Sequence, residues 1–124
     1  LLPTIASLTK TPLPSGKKID GLDISKLLTT DDKSPRNEFV YYTSRGDIEG
    51  LRQGKHKLLV KGPRNKKRNS KVKAEVMLFD LDADLGEKNN LAQSKPEIVA
   101  KLKSRMLELD AQIAKESRQP WFKE

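Results

Sequence analysis

The stretch IEGLRQGKHKLLV, residues 48–60, holds two short runs rich in aliphatic residues on either side of Gly54. Branched aliphatic residues favour strands, and a glycine between two such runs is typical of a tight hairpin turn. The stretch therefore predicts strands over 48–53 and 55–60, with the turn near Gln53–Lys55. An isolated hairpin is at best marginally stable in water, so the fold depends on the segments that flank this one.

Two further strands are predicted on either side of the hairpin. EFVYYT, residues 38–43, is rich in aromatic and β-branched residues, and AEVMLFD, residues 74–80, is a second apolar run. A long charged segment separates the second of these from the hairpin. The four runs in sequence order predict a four-stranded antiparallel sheet.

A long C-terminal helix is predicted over 95–115. Ser94 and Glu97 have the spacing of a capping box, with the serine at the N-cap. Apolar residues then recur at steps of three and four, which places them on one stripe of a helix: Ile98, Leu102, Met106, Leu109 and Ile113. We expect this stripe to pack on one face of the sheet.

A short N-terminal helix is predicted over residues 1–10, followed by the helix-breaking segment TPLPSG, residues 11–16. Residues 18–28 predict a loop with one turn of helix. The helix repeats apolar residues at helical spacing, and nothing in the sequence offers a surface to cover them, so we expect an exposed apolar patch: Leu1, Leu2, Ile5 and Leu8. The predicted fold class is α+β, with a four-stranded antiparallel sheet packed against a long C-terminal helix and a short N-terminal helix.

Composition excludes several classes of site. The 124 residues include no cysteine, which excludes disulfides, thiolate zinc sites and cysteine nucleophiles. No run of 18 apolar residues is present, so no membrane partner is predicted. The net charge is +8, and residues 61–73, KGPRNKKRNSKVK, contribute seven positive charges without one acid. The predicted domain is thus nearly neutral apart from one basic loop.

Three interpretations of the basic loop 61–73 remain open. The first is a solvated insertion, since Asn, Ser and Gly interleave the charges. The second is long-range attraction of a polyanion such as a sulfated polysaccharide. The third, nucleic-acid binding, is disfavoured because no aromatic residue interleaves the lysines to stack on bases, and no nucleic-acid partner is predicted.

The acidic stretch LFDLDADLGEKNNLA, residues 78–92, invites comparison with a calcium-binding EF-hand loop. Such a loop needs glycine at position 6 and glutamate at position 12. Counted from Asp80, those positions hold Leu85 and Leu91, so the EF-hand hypothesis fails. We interpret the stretch as a structural linker and predict no metal site in the chain. In this interpretation Gly86 provides a left-handed residue, Leu91 is an apolar plug, and the acids cap turns: Asp80, Asp82, Asp84 and Glu87.

Four segments in order resemble the C-terminal part of arylsulfatases of the formylglycine-dependent sulfatase family. LLPTIASLTKTPLP resembles the helix and loop that follow the family's large α/β domain, and KIDGLDISKLL resembles its DGxDxxxLL segment. GLRQGKHKLLV resembles its RxGxWKL hairpin. LFDLDADLGEKNNLA resembles its LYDLxxDPxExxNLA, which precedes a helix and a tail with PW. Three positions depart from the pattern: Lys10 for Gly, His56 for Trp or Tyr, and Leu85 for Pro.

The resemblance implies a parent enzyme that hydrolyses sulfate esters, with a formylglycine nucleophile made in a [CS]-x-P-S-R motif and a bound Ca²⁺. This chain has no such motif, since SPRN at 34–37 lacks a proline two residues after its serine. No catalytic residue is predicted here, and the chain alone is expected to be inactive. The resemblance further implies that residues 1–36 are a remnant of the junction to a missing catalytic domain and that 37–124 form the C-terminal subdomain. Trp121 and Phe122 are expected to cover an apolar patch or to dock on that domain.

The resemblance also implies a role for the hairpin beside the substrate cleft of the parent. Side chains that then contact a sulfated small molecule or glycan are Arg52, Lys55, His56 and Lys57. Lysine and arginine both suit oxyanions, whereas a lone histidine at an aromatic position more often packs. The relatives imply a periplasmic or secreted parent. The alternative hypothesis is a stand-alone polyanion-binding module that uses the basic loop 61–73.

Overall fold

The computed structural model describes residues 1–16, 19–30, 32–62 and 74–117. Residues 63–73 of the predicted basic loop, and the tail residues Trp121 and Phe122, lie outside these ranges. Within the described ranges the elements follow in this order: α1 (Leu2–Thr9), α2 (Ser25–Thr29), β1 (Glu38–Tyr42), β2 (Ile48–Gln53), β3 (His56–Lys61), β4 (Glu75–Asp80) and α3 (Pro96–Glu116). The chain divides into two compact units, Leu1–Asn37 and Glu38–Glu124.

The second unit is built on a sheet in which each strand pairs antiparallel with the next along the chain, in the order β1-β2-β3-β4. The turn between β2 and β3 falls at Gly54, whose φ of 55° is left-handed, as the sequence predicts for a tight hairpin. The predicted α+β class, the four-stranded sheet and the two terminal helices are all confirmed.

A row of aliphatic side chains across the four strands forms the centre of the core. Val40 pairs with Leu51, Leu51 with Leu58 and Leu58 with Leu78, so all four side chains lie on one face of the sheet. The three leucines are fully buried, and burial of each such side chain contributes about 1.5–3 kcal/mol. This row sets which face of every strand is apolar.

Helix α3 covers the leucine row with the predicted stripe. Leu102 and Met106 are buried, while Ile98 and Leu109 pack at its margins. Ile113 is 46% exposed, so the apolar stripe packs on the sheet over fewer helical turns than the sequence predicts. No helix in the described ranges has the length and apolar content needed to span a membrane.

The predicted capping box at the start of α3 is wrong. The N-cap is Lys95, and no side chain caps the helix. The Ser94 hydroxyl donates instead to the Leu91 carbonyl, 3.1 Å away, and the Ser94 and Lys95 amides bond to that same carbonyl. The Ser94 hydroxyl is therefore engaged in the turn that precedes α3. The helix begins at Pro96, a first-turn position where no N–H is needed for an intrahelical hydrogen bond.

In the first unit, Thr4 of α1 is 1% exposed and its hydroxyl accepts a hydrogen bond from the Ile24 amide at 3.2 Å. Lys10 ends α1 in the left-handed conformation, with φ of 55°, the conformation that glycine most often provides at a helix C-terminus. The opposite side of α1 is solvent-exposed, which confirms the predicted apolar patch: Leu1, Leu2, Ile5 and Leu8 are 81%, 51%, 49% and 58% exposed.

Gly50 of β2 is a position where the sheet leaves no room for a side chain. It pairs with Tyr41 beside an irregularity in the β1–β2 register. A Cβ atom there meets the Leu58 carbonyl oxygen and lies 2.8 Å from Leu59 Cδ2. We expect Gly50→Ala to lower the free energy of unfolding by about 1–3 kcal/mol, because the strand must shift to admit the methyl group. Urea denaturation of the chain measures the change.

The matched control is Gly62→Ala, since a Cβ at Gly62 has no atom within 4 Å. This control is expected to leave the unfolding midpoint close to that of the unmodified chain. Equal midpoints for the two variants would contradict the close packing at Gly50.

Candidate functional site

The tip of the β2–β3 hairpin is the candidate site, because it carries the four side chains assigned to substrate binding. Gln53 and His56 pair directly, and the chain turns between them at Gly54 and Lys55. The Arg52 side chain curls toward the turn, where its Nε donates to the Gly54 carbonyl at 3.0 Å. The turn therefore holds one arginine and one lysine at its surface.

The alternation of side chains along a strand divides the four residues. His56 lies on the face that α3 covers, because it is two residues from Leu58 on the same strand. Arg52 and Lys57 pair with each other and lie on the opposite face. Lys55 is in the turn. The four residues are thus neighbours in sequence but do not form one cluster, and the assignment of substrate binding to them stays a prediction.

Lys55 is held by the residue that ends β4. Its ammonium lies 2.8 Å from Asp80 Oδ2, and its carbonyl accepts a hydrogen bond from the Leu81 amide at 2.8 Å. The hydrogen bond from Lys55 holds the pKa of Asp80 below its usual range and raises the pKa of Lys55. Because half of the Lys55 side chain remains exposed, the pair leaves this cation within reach of a ligand.

His56 is mostly buried, with 20% of its side chain exposed. Its Nε2 lies 3.9 Å from Asp80 Oδ2 and has no hydrogen-bond partner among the described residues. No hydroxyl nucleophile is hydrogen-bonded to either ring nitrogen in the described part of the chain. The geometry favours a packing role over general-base chemistry.

Lys57 is engaged on the opposite face of the sheet. Its ammonium lies 2.6 Å from Glu87 Oε1 and 5.1 Å from the centre of the Tyr41 ring. Only 17% of the Lys57 side chain is exposed. The lysine therefore ties β3 to the segment that follows β4, and it is less accessible to a ligand than Arg52 or Lys55.

The acidic stretch after β4 is a series of turns, as predicted. Asp84 accepts a hydrogen bond from the Asn89 amide at 2.7 Å, and Asn90 Oδ1 accepts from the Leu78 and Ala92 amides. The left-handed residue is Glu87, with φ of 54°, so its prediction at Gly86 is wrong. The Glu87 amide donates to the Asp84 carbonyl and its carboxylate binds Lys57, which offsets the cost of this conformation.

Calcium has no fitting donor set in the described ranges. No group of three or more His, Asp or Glu side chains there converges on a point where it could bind a metal ion. Asp80 and Glu87 bind lysines, and Asp84 caps a turn. No catalytic step through a metal is therefore assigned to this chain.

Three contacts were absent from the sequence prediction. Asp80 and Glu87 were assigned to turns only, although each also binds a lysine of the hairpin. Glu38 of β1 forms a two-pronged pair with Arg105 of α3, with both nitrogen–oxygen distances at 3.0 Å. The hydrogen bonds from Arg105 lower the pKa of Glu38. Glu38 and Arg105 are 67 positions apart, so no local sequence pattern indicates that they pair.

The Lys55–Asp80 pair predicts a pH-dependent contribution to stability. Since the pKa of Asp80 is lowered in the folded chain, its contribution is present above the ordinary value of 3.8 and is lost as the pH falls through the folded value. Asp80→Asn is expected to lower the melting temperature at pH 7. The difference from the unmodified chain should shrink as the pH falls through the folded pKa of Asp80, because protonation makes this side chain neutral like that of asparagine. Thermal denaturation from pH 2 to pH 8 checks this.

The control for this series is Asp20→Asn, which replaces an exposed carboxylate of the first unit. It is expected to leave the melting curve unchanged across the range. A difference between Asp80→Asn and the unmodified chain that does not vary with pH would contradict the ion-pair origin of the effect.

Comparison with known proteins relates this arrangement to one family. No protein-family model matches the chain. The chain is 32% identical over 136 residues to arylsulfatase A of Homo sapiens, which covers 91% of this chain and 27% of the relative. It is 34% identical over 114 residues to arylsulfatase A of Bos taurus, covering 79% of this chain and 22% of that protein. The chain therefore spans about a quarter of the length of these curated relatives.

Two solved structures share the fold. One belongs to the Bacteroides thetaiotaomicron locus for the metabolism of multiple glycosaminoglycans, with a TM-score of 0.65 and 24% identity over 87% of this chain and 23% of the other. The second was solved in complex with its substrate D-glucosamine-2-N,6-O-disulfate, with a TM-score of 0.58 and 20% identity over 93% and 24%. The sequence matches and the shared fold together show that this chain belongs to the sulfatases, of which it is a C-terminal part.

Proposed function

We propose that this chain is the C-terminal domain of an enzyme that hydrolyses sulfate esters, where it completes the fold of the catalytic domain and borders the substrate cleft. The observation that carries the proposal is the 32% identity to arylsulfatase A across 91% of the chain. The structure gives that match a physical basis, since two of the four family-like segments bind each other through Lys55–Asp80 and Lys57–Glu87. These two ion pairs hold the hairpin tip against the segment that follows β4.

The proposal assigns the chemistry to the remainder of the parent. The chain has neither a cysteine nor a Ser-x-Pro-Ser-Arg motif, so it offers no precursor of formylglycine. In the part of the chain that the structure describes, Asp80, Asp84 and Glu87 are engaged in ion pairs or turns, and no three His, Asp or Glu side chains form a calcium site. The nucleophile and the Ca²⁺ that such chemistry uses are therefore proposed to belong to a preceding catalytic domain, which is the principal partner of this chain.

The role proposed for this chain is to present cations at the hairpin tip to a sulfated small molecule or glycan. Support comes from the solved relative whose substrate is a sulfated glucosamine. Lys55 is the best placed of the predicted residues, because it is half exposed and Asp80 restrains it from one side only. The division into residues 1–36 and 37–124, and the periplasmic or secreted location, stay predictions.

Sulfatase activity of the chain and of its full-length parent tests the proposal directly. With an aryl sulfate and added Ca²⁺, we expect turnover by the parent and none by the chain. A parent variant in which alanine replaces the formylglycine precursor is the control and should be inactive. Turnover by the chain would show that it contains a nucleophile and would overturn the assignment. An inactive parent would favour the alternative, a polyanion-binding module that uses the basic loop 61–73.

The role of Lys55 is tested in the parent by two variants that both break the Lys55–Asp80 pair. Lys55→Met removes the cation, whereas Asp80→Asn leaves it unpaired and free. If Lys55 contacts the sulfate, Lys55→Met should raise KM roughly tenfold through the loss of a charged hydrogen bond, and Asp80→Asn should not. Steady-state kinetics with melting temperatures measured in parallel separates binding from stability. An equal rise in KM for both variants would assign Lys55 a structural role only.

A further inference from the structure

One row of side chains on the sheet face opposite α3 has an unusual composition. Phe39, Arg52, Lys57 and Phe79 are paired across β1, β2, β3 and β4 in that order. Directly paired side chains on one face lie about 5 Å apart at Cβ. The row therefore places an aromatic ring, two cations and a second aromatic ring side by side.

The two cations at the centre of this row are unevenly compensated. Like charges directly opposite one another in a sheet are destabilising. Lys57 is offset by Glu87 at 2.6 Å. Arg52 bonds only through Nε, to the Gly54 carbonyl, and its two terminal nitrogens have no partner in the described part of the chain. The guanidinium is positioned by its Nε hydrogen bond, and its two terminal nitrogens remain open. This is the geometry in which arginine donates two hydrogen bonds to an oxyanion.

Phe39, which is paired with Arg52, adds an apolar platform to this cation. The ring is 49% exposed. It meets Tyr41 edge to face, with centroids 5.0 Å apart, and this contact orients it. Phe79 at the other end of the row is 5% exposed, so Phe39 is the accessible ring.

We propose that Phe39 and Arg52 form a recognition surface for a sulfated sugar, in which the ring of Phe39 supports the apolar face of the sugar and the terminal nitrogens of Arg52 bind its sulfate. The inference rests on the proposed sulfatase function and names the residues that select its substrate. The net charge of +8 favours a ligand that carries several sulfates, as a glycan does, over a simple aryl sulfate.

Titration of the chain with a trisulfated heparin disaccharide tests the surface, with calorimetry for affinity and amide shifts for location. The amides of Phe39 and Arg52 are expected to shift, and the desulfated disaccharide is expected to bind far more weakly. Arg52→Gln should weaken binding roughly tenfold to a hundredfold, the loss expected for charged hydrogen bonds. Arg52→Lys should recover part of the affinity, because it restores the charge but not the fork.

Phe39→Leu tests the ring separately, since leucine keeps an apolar side chain at this position. It should weaken binding of the disaccharide and leave the melting temperature close to that of the unmodified chain. Arg45→Gln is the matched charge control, because Arg45 is exposed in the turn at the other end of the β1–β2 hairpin. It should leave the affinity within about twofold, since a distant exposed charge is screened.

Equal losses for Arg52→Gln and Arg45→Gln would overturn the proposal, because they would mean unspecific attraction by net charge. Equal affinity for phenyl sulfate and the disaccharide would overturn the assignment to a sugar. The proposed sulfatase function is judged separately, by turnover in the unmodified parent. An active parent whose isolated C-terminal chain binds no disaccharide would contradict this inference alone.

Discussion

The structure of the second unit depends on the cross-strand contact of Val40, Leu51, Leu58 and Leu78. These four side chains are in register across all strands, and Leu102 and Met106 of α3 seal them from water. Because side chains alternate along a strand, this row determines which face the other side chains occupy, except beside the register irregularity at Tyr41–Tyr42. A shift of one residue in β2 or β3 would expose Leu51 or Leu58 and turn Arg52 or Lys57 toward the core. The hairpin tip is positioned by this constraint and not by the turn alone.

The linker after β4 adds a second constraint, on the hairpin itself. Lys55 binds Asp80 and Lys57 binds Glu87, so the two lysines contact the linker at its start and its middle. Asn90 then returns the linker to β4 through the Leu78 amide and the Val76 carbonyl. The two family-like segments at 50–60 and 78–92 are thus one structural unit.

The spacing of apolar residues and the positions of turn-forming residues predicted most of the fold, because both are local properties of the sequence. The strands match to within one residue at every end, and Gly54 falls in its predicted turn. The capping-box prediction failed because the Ser94 hydroxyl donates to the Leu91 carbonyl in the preceding turn instead of capping α3. The left-handed residue was misplaced by one position because a distant lysine stabilises Glu87. The first error arises from a competing local turn, and the second arises where a tertiary contact outweighs local preference.

The candidate site was predictable by residue type but not by arrangement. Arg52, Lys55, His56 and Lys57 are adjacent in the sequence, yet the alternation of the strands sends His56 toward α3 and the Arg52–Lys57 pair to the other face. The accessible aromatic neighbour of Arg52 is Phe39, which comes from a different strand and could not be assigned without the register. One sheet therefore separates two tasks. The face under α3 provides stability, and the opposite face carries the uncompensated arginine that stability alone does not explain.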